Sequence, residues 1–283
     1  MPGGGTPAAP AQPAPARLYV HDDLTDDVGQ AHGEGSTALA LARRLLALVG
    51  GERRVTIITL EEQLARVVAR GPHAPFALAV GIGAAGERVA RHLHARTGWF
   101  PAIRRVGVTR LEDGRGGYVL ASTTGAPLGA ELAGVEPAGT LAVVDDTVFS
   151  GLTMRAVLAA LPPAARARTR AFCLRAVAET LPSIEALCPI TPGLAAPGRI
   201  LDEVSFINAS GLVRRGAIRR AGAPPLAFFE RPEWIRAWFP ARADEVLDCC
   251  RSLHRLLEPG GAPAVTAAAG ASASAPAPRA GRT

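Results

Sequence analysis

The chain has 283 residues, of which 48% are hydrophobic and 20% charged, so it can bury a sizeable core in one large domain or two smaller ones. Its basic residues are all arginine, and 31 of them against 25 acids give a net charge of +6, too small to indicate nucleic-acid binding by itself. No apolar run approaches the roughly 18 residues of a membrane span, and the amino terminus has no apolar targeting segment, so we expect a cytoplasmic protein without a membrane contact.

The two ends of the chain differ in composition from the middle. Residues 1–16 and 259–283 are rich in Pro, Ala, Gly and Ser and contain no aromatic residue. Such segments bury too little apolar surface to offset the entropy lost on ordering. We therefore expect two disordered tails around a single domain at 17–258, which keeps 29 arginines against 25 acids and a net charge of +4.

Strands and helices alternate along most of this domain. The apolar runs predict strands at 17–21, 53–60, 76–83, 103–110, 117–123, 141–146 and 170–178. Helical spacing predicts helices at 36–49, 61–70, 86–98 and 152–161. Continuous apolar strands alternating with helices predict an α/β fold with a mostly parallel, doubly wound sheet.

Beyond about residue 180 the pattern becomes irregular. A further strand is predicted around GRILDEVSFI, followed by helices over RPEWIRAWF and ADEVLDCCRSLHRLL, the last of which we expect to pack on the domain. The four cysteines have neither C-x-x-C spacing nor histidines at metal-ligand spacing, so we expect free thiols in a reducing compartment: Cys173, Cys188, Cys249 and Cys250.

The segment 141–154, LAVVDDTVFSGLTM, joins the most apolar predicted strand to a helix. Ligands of open α/β sheets bind beyond the carboxyl ends of the strands, where Asp145 and Asp146 would lie. Behind the two acids, SGLT opens a helix whose unpaired N–H groups and dipole favour an anion. The segment thus offers acceptors for hydroxyls or Mg²⁺ beside a phosphate cradle, the two parts that a sugar phosphate needs. The alternative is an acidic N-cap turn of an ordinary strand–helix unit.

This segment resembles the phosphoribosyl-pyrophosphate loop of type I phosphoribosyltransferases, which has four apolar residues, two acids and a run ending Thr/Ser-Gly-x-Thr. The resemblance implies a core at 76–178 and a variable hood with C-terminal helices at about 180–258. It also implies that Asp145 and Asp146 bind the ribose hydroxyls and hold Mg²⁺ partly through the substrate, Asp146 steadying positive charge on the ribose. The 5′-phosphate would lie against Thr147, Val148, Phe149, Ser150, Gly151, Leu152 and Thr153.

A second junction of strand, glycines and helix lies upstream, at VGIGAAGERVARHL. By the same resemblance it would be the pyrophosphate loop, with backbone amides from Gly83, Ala84, Ala85 and Gly86. Glycine turns before helices are common, so the assignment depends on the position of this junction upstream of the segment 141–154, the order found in that family. By the resemblance, the Gly-rich stretch 109–120 would be a mobile loop that covers the site and excludes water. From this loop Arg110, as a catalytic cation, or Arg115 would reach the pyrophosphate. The alternative is a solvated hairpin.

Phe149 departs from the family branch that acts on 6-oxopurines, which usually carries an aspartate there. The resemblance thus argues against a hypoxanthine or guanine enzyme. The hood that binds the acceptor would map to about 199–218, and perhaps the N-terminal segment. Candidate hood residues, each more often a surface residue, are Asp202, Glu203, Asn208 and Arg214.

The segment 21–37, HDDLTDDVGQAHGEGST, is a further dense polar stretch. We expect a capped, solvated turn there, with an acceptor-recognition or acid–base site as the alternative. His21 and His32 do not have a metal-ligand spacing, because eleven positions separate them.

The function implied is a Mg²⁺-dependent enzyme that transfers 5-phosphoribosyl from phosphoribosyl pyrophosphate to a nitrogen or hydroxyl of a small molecule, in a specialised rather than housekeeping role. Two alternatives remain open: a nucleotide-sensing regulator of the same fold, and an enzyme that cleaves nucleotides in the reverse direction. The family commonly forms dimers, so a homodimer is the expected assembly.

Overall fold

The computed structural model of the chain describes residues 17–71, 73–112, 118–135, 139–197, 206–218 and 224–258. Its strands are β1 (Leu18–His21), β2 (Val55–Ile58), β3 (Leu78–Ile82), β4 (Ile103–Val106), β5 (Val108–Glu112), β6 (Tyr118–Ser122), β7 (Leu141–Val148), β8 (Thr169–Val177), β9 (Ile190–Ala196) and β10 (Phe206–Asn208).

The helices alternate with these strands. They are α1 (Leu24–His32), α2 (Thr37–Gly50), α3 (Leu60–Val68), α4 (Gly83–Thr97), α5 (Leu128–Glu131), α6 (Leu152–Ala160), α7 (Pro163–Arg166), α8 (Leu181–Glu185), α9 (Ser210–Val213), α10 (Pro232–Trp238) and α11 (Ala243–Leu257). Among the described residues, no helix is both long and apolar enough to cross a membrane.

A five-stranded parallel sheet forms the centre of the molecule, in the order β4-β3-β7-β8-β9. Side chains of β7 alternate between two cores: Leu141 and Val143 pack with α6, whereas Ala142 and Val144 pack with α3 and α4. Because both faces of the sheet are covered, β3 and the first half of β7 are continuously apolar. The predicted α/β, doubly wound and mostly parallel fold class is confirmed.

A second parallel sheet, in the order β10-β1-β2, brings together distant parts of the chain. Tyr19 pairs with Phe206, and their rings stack at 5.4 Å between centroids. The core of this sheet is shared by α1, α2, α10 and α11, so that the N-terminal elements pack with the C-terminal helices. The predicted packing of the last helix on the domain is confirmed, with α2 as its main partner.

Several local predictions need correction. The stretch 103–110, predicted as one strand, is divided at Gly107 into β4 and the start of β5, which pairs with β6 in a separate antiparallel hairpin. The solvated turn predicted at 21–37 is wrong, because α1 occupies most of this segment. The edge strand β9 was not predicted, because Pro192 is unusual in strands and is tolerated at a sheet edge.

Candidate functional site

The carboxyl end of β7 carries the two predicted acids. Asp145 is buried, with 9% of its surface exposed, and its Oδ1 accepts a hydrogen bond of 2.9 Å from the Asp146 backbone N–H. The Asp146 side chain is more open, at 31% exposure. Its Oδ2 accepts a hydrogen bond of 3.2 Å from the Thr147 hydroxyl. The adjacent acids therefore lie in different environments.

A buried arginine on the neighbouring strand contacts this end of β7. Arg175 lies opposite Thr147 in the β7–β8 register and is only 2% exposed. Its Nη2 is 3.3 Å from Asp146 Oδ2 and donates to Thr147 Oγ1 at 2.6 Å. Burial lowers the pKa of Arg175, and the Asp146 carboxylate opposes that change. Sequence analysis missed this residue; the available signal was a single arginine within the apolar run 171–177 of β8.

The predicted phosphate loop turns from β7 into α6. Gly151 occupies the left-handed backbone region at φ 69°, directly before the first residue of α6. Only glycine adopts this conformation without strain, so Gly151 permits the sharp turn that points the first N–H groups of α6 towards the strand end. The Ser150 hydroxyl accepts a hydrogen bond of 3.4 Å from the Leu152 backbone N–H. The loop therefore presents the start of a nine-residue helix.

The predicted pyrophosphate loop, Gly83 to Gly86, forms the first turn of α4, which begins three residues earlier than predicted. Gly86 is buried against β7, where an added Cβ would lie 2.3 Å from the Val144 carbonyl oxygen. This contact brings the N-terminus of α4 beside the acidic end of β7. The glycine at this position thus has a packing reason that is independent of any ligand.

One cavity of about 240 Å³ lies between the two predicted loops. Its walls come from both junctions and from two neighbouring strands: Ile82, Gly83, Ala84, Ala85, Val108, Asp145, Asp146, Thr147, Val148, Phe149, Ser150, Gly151, Leu152, Thr153 and Met154. The structure thus brings together at one cavity the two acids and all residues of the two predicted loops except Gly86. Phe149 is half-buried there.

Two of the remaining candidates, Asn208 and Arg214, are described, and neither is among the cavity walls. Arg110 belongs to β5, but its side chain, like Arg115, Asp202 and Glu203, lies outside the part of the chain that the structure describes. Asn208 ends β10, and its Oδ1 accepts a hydrogen bond of 3.2 Å from Arg175 Nη2. Arg214 pairs with Asp27 of α1 at 3.0 Å, away from the cavity walls.

A second polar cluster lies behind Arg175, at the ends of β1 and β2. His21 is buried, and its Nδ1 lies 2.9 Å from Gln63 Nε2 and 3.4 Å from the Ile58 carbonyl oxygen, while Gln63 Nε2 donates to Thr59 O at 2.8 Å. Burial, followed by the charge of Arg175, lowers the pKa of His21 below its ordinary 6.5. This lowered pKa favours the neutral form of His21 near the charged Arg175.

Within the described residues, no group of three or more His, Cys, Asp or Glu side chains is placed to hold a metal ion. The four cysteines, all described, are free thiols, as expected. Burial raises the thiol pKa of Cys188 to about 11, so this thiol is protonated near neutral pH.

No protein-family model and no curated protein matches the chain. Solved structures to which it is similar include a purine phosphoribosyltransferase from Pyrococcus horikoshii, at 14% identity, with 67% of this chain and 91% of that chain covered and a TM-score of 0.35. An orotate phosphoribosyltransferase from Aeropyrum pernix is 18% identical, with coverage of 58% and 73% and a TM-score of 0.28.

A third similar structure is a hypothetical protein from Neisseria gonorrhoeae with bound ppGpp, at 15% identity, coverage of 68% and 88%, and a TM-score of 0.37. Two of the three are phosphoribosyltransferases, the family that the loop resembles. Because all three TM-scores lie below 0.5, we infer function from the residues and geometry of the site alone.

Proposed function

We propose that the protein is a Mg²⁺-dependent phosphoribosyltransferase that moves 5-phosphoribosyl from phosphoribosyl pyrophosphate to a nitrogen or hydroxyl of a small molecule, in specialised nucleoside or aminoglycoside-like metabolism. One observation carries the proposal. The two predicted loops line a single cavity together with Asp145 and Asp146. In the sequence, 58 positions separate Gly83 of the first loop from Leu141 at the start of β7. The alternative, an acidic N-cap turn of an ordinary strand–helix unit, does not require a second glycine-containing helix start at the same cavity.

The roles of the chain's own residues follow from their positions. The Asp146 carboxylate, partly open and oriented by Thr147, would accept hydrogen bonds from ribose hydroxyls. As the bond to pyrophosphate breaks, the same negative charge would stabilise the positive charge that develops on the ribose. Asp145, more buried, would support this arrangement through its hydrogen bond from the Asp146 N–H.

The 5′-phosphate would bind at the turn into α6. The N-terminal N–H groups of a helix have no partner inside the helix, and the helix dipole favours an anion there. Ser150 and Thr153 border the same cavity with hydroxyl groups. Phosphate binding at this position therefore needs no lysine, which the chain lacks.

The donor set is compatible with Mg²⁺ that is held mainly by the substrate. Mg²⁺ prefers oxygen ligands and is often bound by one or two carboxylates together with substrate phosphates. Asp145 and Asp146 would be those carboxylates, although the Arg175 contact at one Asp146 oxygen leaves less room for direct coordination. Bound there, the ion would neutralise charge on the departing pyrophosphate.

The test is an assay of pyrophosphate release from phosphoribosyl pyrophosphate with Mg²⁺ and a panel of purine and pyrimidine bases, amines and aminocyclitols. The proposal predicts release that depends on one acceptor class and a phosphoribosylated product found by mass spectrometry. Saturable binding without turnover for any acceptor would favour the sensing alternative. Absence of binding would contradict both functions.

A further inference from the structure

Arg175 makes its hydrogen bonds to side chains that border or adjoin the cavity. Its Nε and Nη2 donate to Thr147 Oγ1 at 2.9 and 2.6 Å, and Nη2 also lies within 3.3 Å of Asp146 Oδ2 and 3.2 Å of Asn208 Oδ1. Because Thr147 in turn donates to Asp146, the guanidinium, hydroxyl and carboxylate form a closed network. A planar donor with fixed directions restricts the rotamers of both partners.

We propose that Arg175 is a positioning residue, which orients the Asp146 carboxylate and the Thr147 hydroxyl for the ribose and connects them to β10 through Asn208. The inference rests on the proposed function, because it assigns Arg175 a role in the same site. Arg175 acts through Asp146 and Thr147 and is not among the residues that line the cavity.

The burial of Arg175 argues against a purely structural role. An arginine at 2% exposure loses its hydration, and an apolar side chain of similar volume is often equally stable or more stable at such a position. Its Nη1 is buried and has no hydrogen-bond partner among the described residues, which adds a further unfavourable contribution. Stability therefore does not explain this arginine, whereas the orientation of Asp146 does.

The contact with Asn208 extends the network to the second sheet. Asn208 ends β10 and pairs in register with His21 of β1. A displacement of β10 would reach Asp146 through one side chain, Arg175. The two sheets thus meet at a residue that holds the predicted ribose-binding acid.

The experiment compares the full-length wild type with Arg175→Met, Arg175→Lys and the matched control Arg170→Met. Arg170 lies on the same strand but bonds to Thr191 of β9 at 3.3 Å, at the end of β8 remote from the acids. The first measurement is hydrogen exchange of the segment 145–151 without ligand. We expect at least a fivefold faster exchange there in Arg175→Met, no change at 83–97, and no change at 145–151 in the control.

The second measurement is kcat and KM for phosphoribosyl pyrophosphate. Poor orientation of a reacting group typically costs about 10- to 100-fold in rate, so we expect a loss of that size in kcat/KM for Arg175→Met, a partial recovery in Arg175→Lys, and less than a threefold change for Arg170→Met. In an Asp146→Asn background the same Arg175→Met change should cost less than about threefold, because coupled residues are not additive.

Asn208→Ala keeps the inference testable if Arg175→Met does not fold, since Asn208 is exposed and the change removes its hydrogen bond with Arg175. It should raise exchange at 145–151 about twofold or more. Unchanged exchange at 145–151 in the folded variants overturns the inference, as does an equal loss from Arg175→Met with and without Asp146. If the wild type binds no phosphoribosyl pyrophosphate, the proposed function fails, and the exchange measurement alone decides whether Arg175 orients Asp146.

Discussion

Two strand ends of the molecule carry a pair of adjacent aspartates, and they differ in what surrounds them. Asp22 and Asp23 follow β1, whereas Asp145 and Asp146 lie near the carboxyl end of β7, and each pair comes before a helix in the chain. Asp22 is occupied by Thr25, whose N–H and hydroxyl donate to its two oxygens at 3.0 and 2.5 Å. Asp23 accepts from the backbone and hydroxyl of Ser210. The first pair therefore caps the start of α1, through Asp22, and connects it to α9, through Asp23.

The second pair instead faces another loop. Next to β7, strand β3 leads directly into Gly83, the first residue of α4, and α4 approaches β7 closely at Gly86. Asp146 borders the same cavity as the first residues of α4 and α6. Two acids after a strand are therefore weak evidence for a ligand site, and the decisive feature is a second predicted anion-binding loop after the neighbouring strand.

The largest expected effect comes from removing the acids of the cavity. Asp145→Asn together with Asp146→Asn should lower kcat by at least about 1000-fold, because the loss of a single preorganised charge or donor costs about 100- to 1000-fold. Circular dichroism should show an intact fold. The matched control Asp22→Asn, at the other acidic strand end, should stay within threefold of wild type. Full activity in the double variant would refute the assignment of the acids.

The next effect tests the close approach of α4 to β7. Gly86→Ala should lower the free energy of unfolding by about 2–3 kcal/mol, because the new methyl group overlaps the Val144 carbonyl. The control is Gly29→Ala in α1, where the nearest atoms would lie 3.8 Å away. That change should raise stability by about 0.5–1 kcal/mol, the usual gain in a helix. Denaturant unfolding measures both, and equal effects would contradict the packing argument.

A smaller effect is expected at the other acidic pair. Asp22→Ala removes the acceptor for Thr25 and should cost about 1 kcal/mol of stability, as for the loss of a helix cap. The enzymatic rate should not change, since this carboxylate lies outside the cavity between the loops. A large loss of activity at unchanged stability would assign α1 to the active site and weaken the distinction between the two pairs.

The smallest effect concerns the pH dependence of folding. The pKa of His21 is lowered in the folded chain, and the unfolded chain therefore binds a proton below about pH 6.5 that the folded chain does not bind. Stability should fall as the pH decreases through this range. Asp23, Asp146 and Arg175 are the charged groups that influence this histidine.

His21→Gln should reduce that fall between pH 7.5 and 5.5 by less than about 1.4 kcal/mol per pH unit, the maximum for one proton. The comparison with wild type is needed because the pKa values of His73 and His92 are lowered as well. An unchanged slope of stability against pH would mean that folding does not lower the pKa of His21.

The fold class and the loop could be predicted because their signals are local. The apolar run before Asp145 and the SGLT turn specify a strand and a helix start within 14 residues. The pairing of β1 with β10 could not be predicted, since it joins segments nearly 190 residues apart, as in Tyr19 and Phe206. Arg175 was missed for the same reason, because its partners lie on two other strands, β7 and β10.

The central claim is that the cavity between the two loops binds a ribose phosphate. Isothermal titration calorimetry of the full chain with phosphoribosyl pyrophosphate and Mg²⁺ tests it most directly, with Asp145→Asn/Asp146→Asn as the comparison and Asp22→Asn as the control. We expect one saturable site per chain, with an affinity that is retained in Asp22→Asn and at least tenfold weaker in the double variant. No binding, or equal binding by all three proteins, would contradict it.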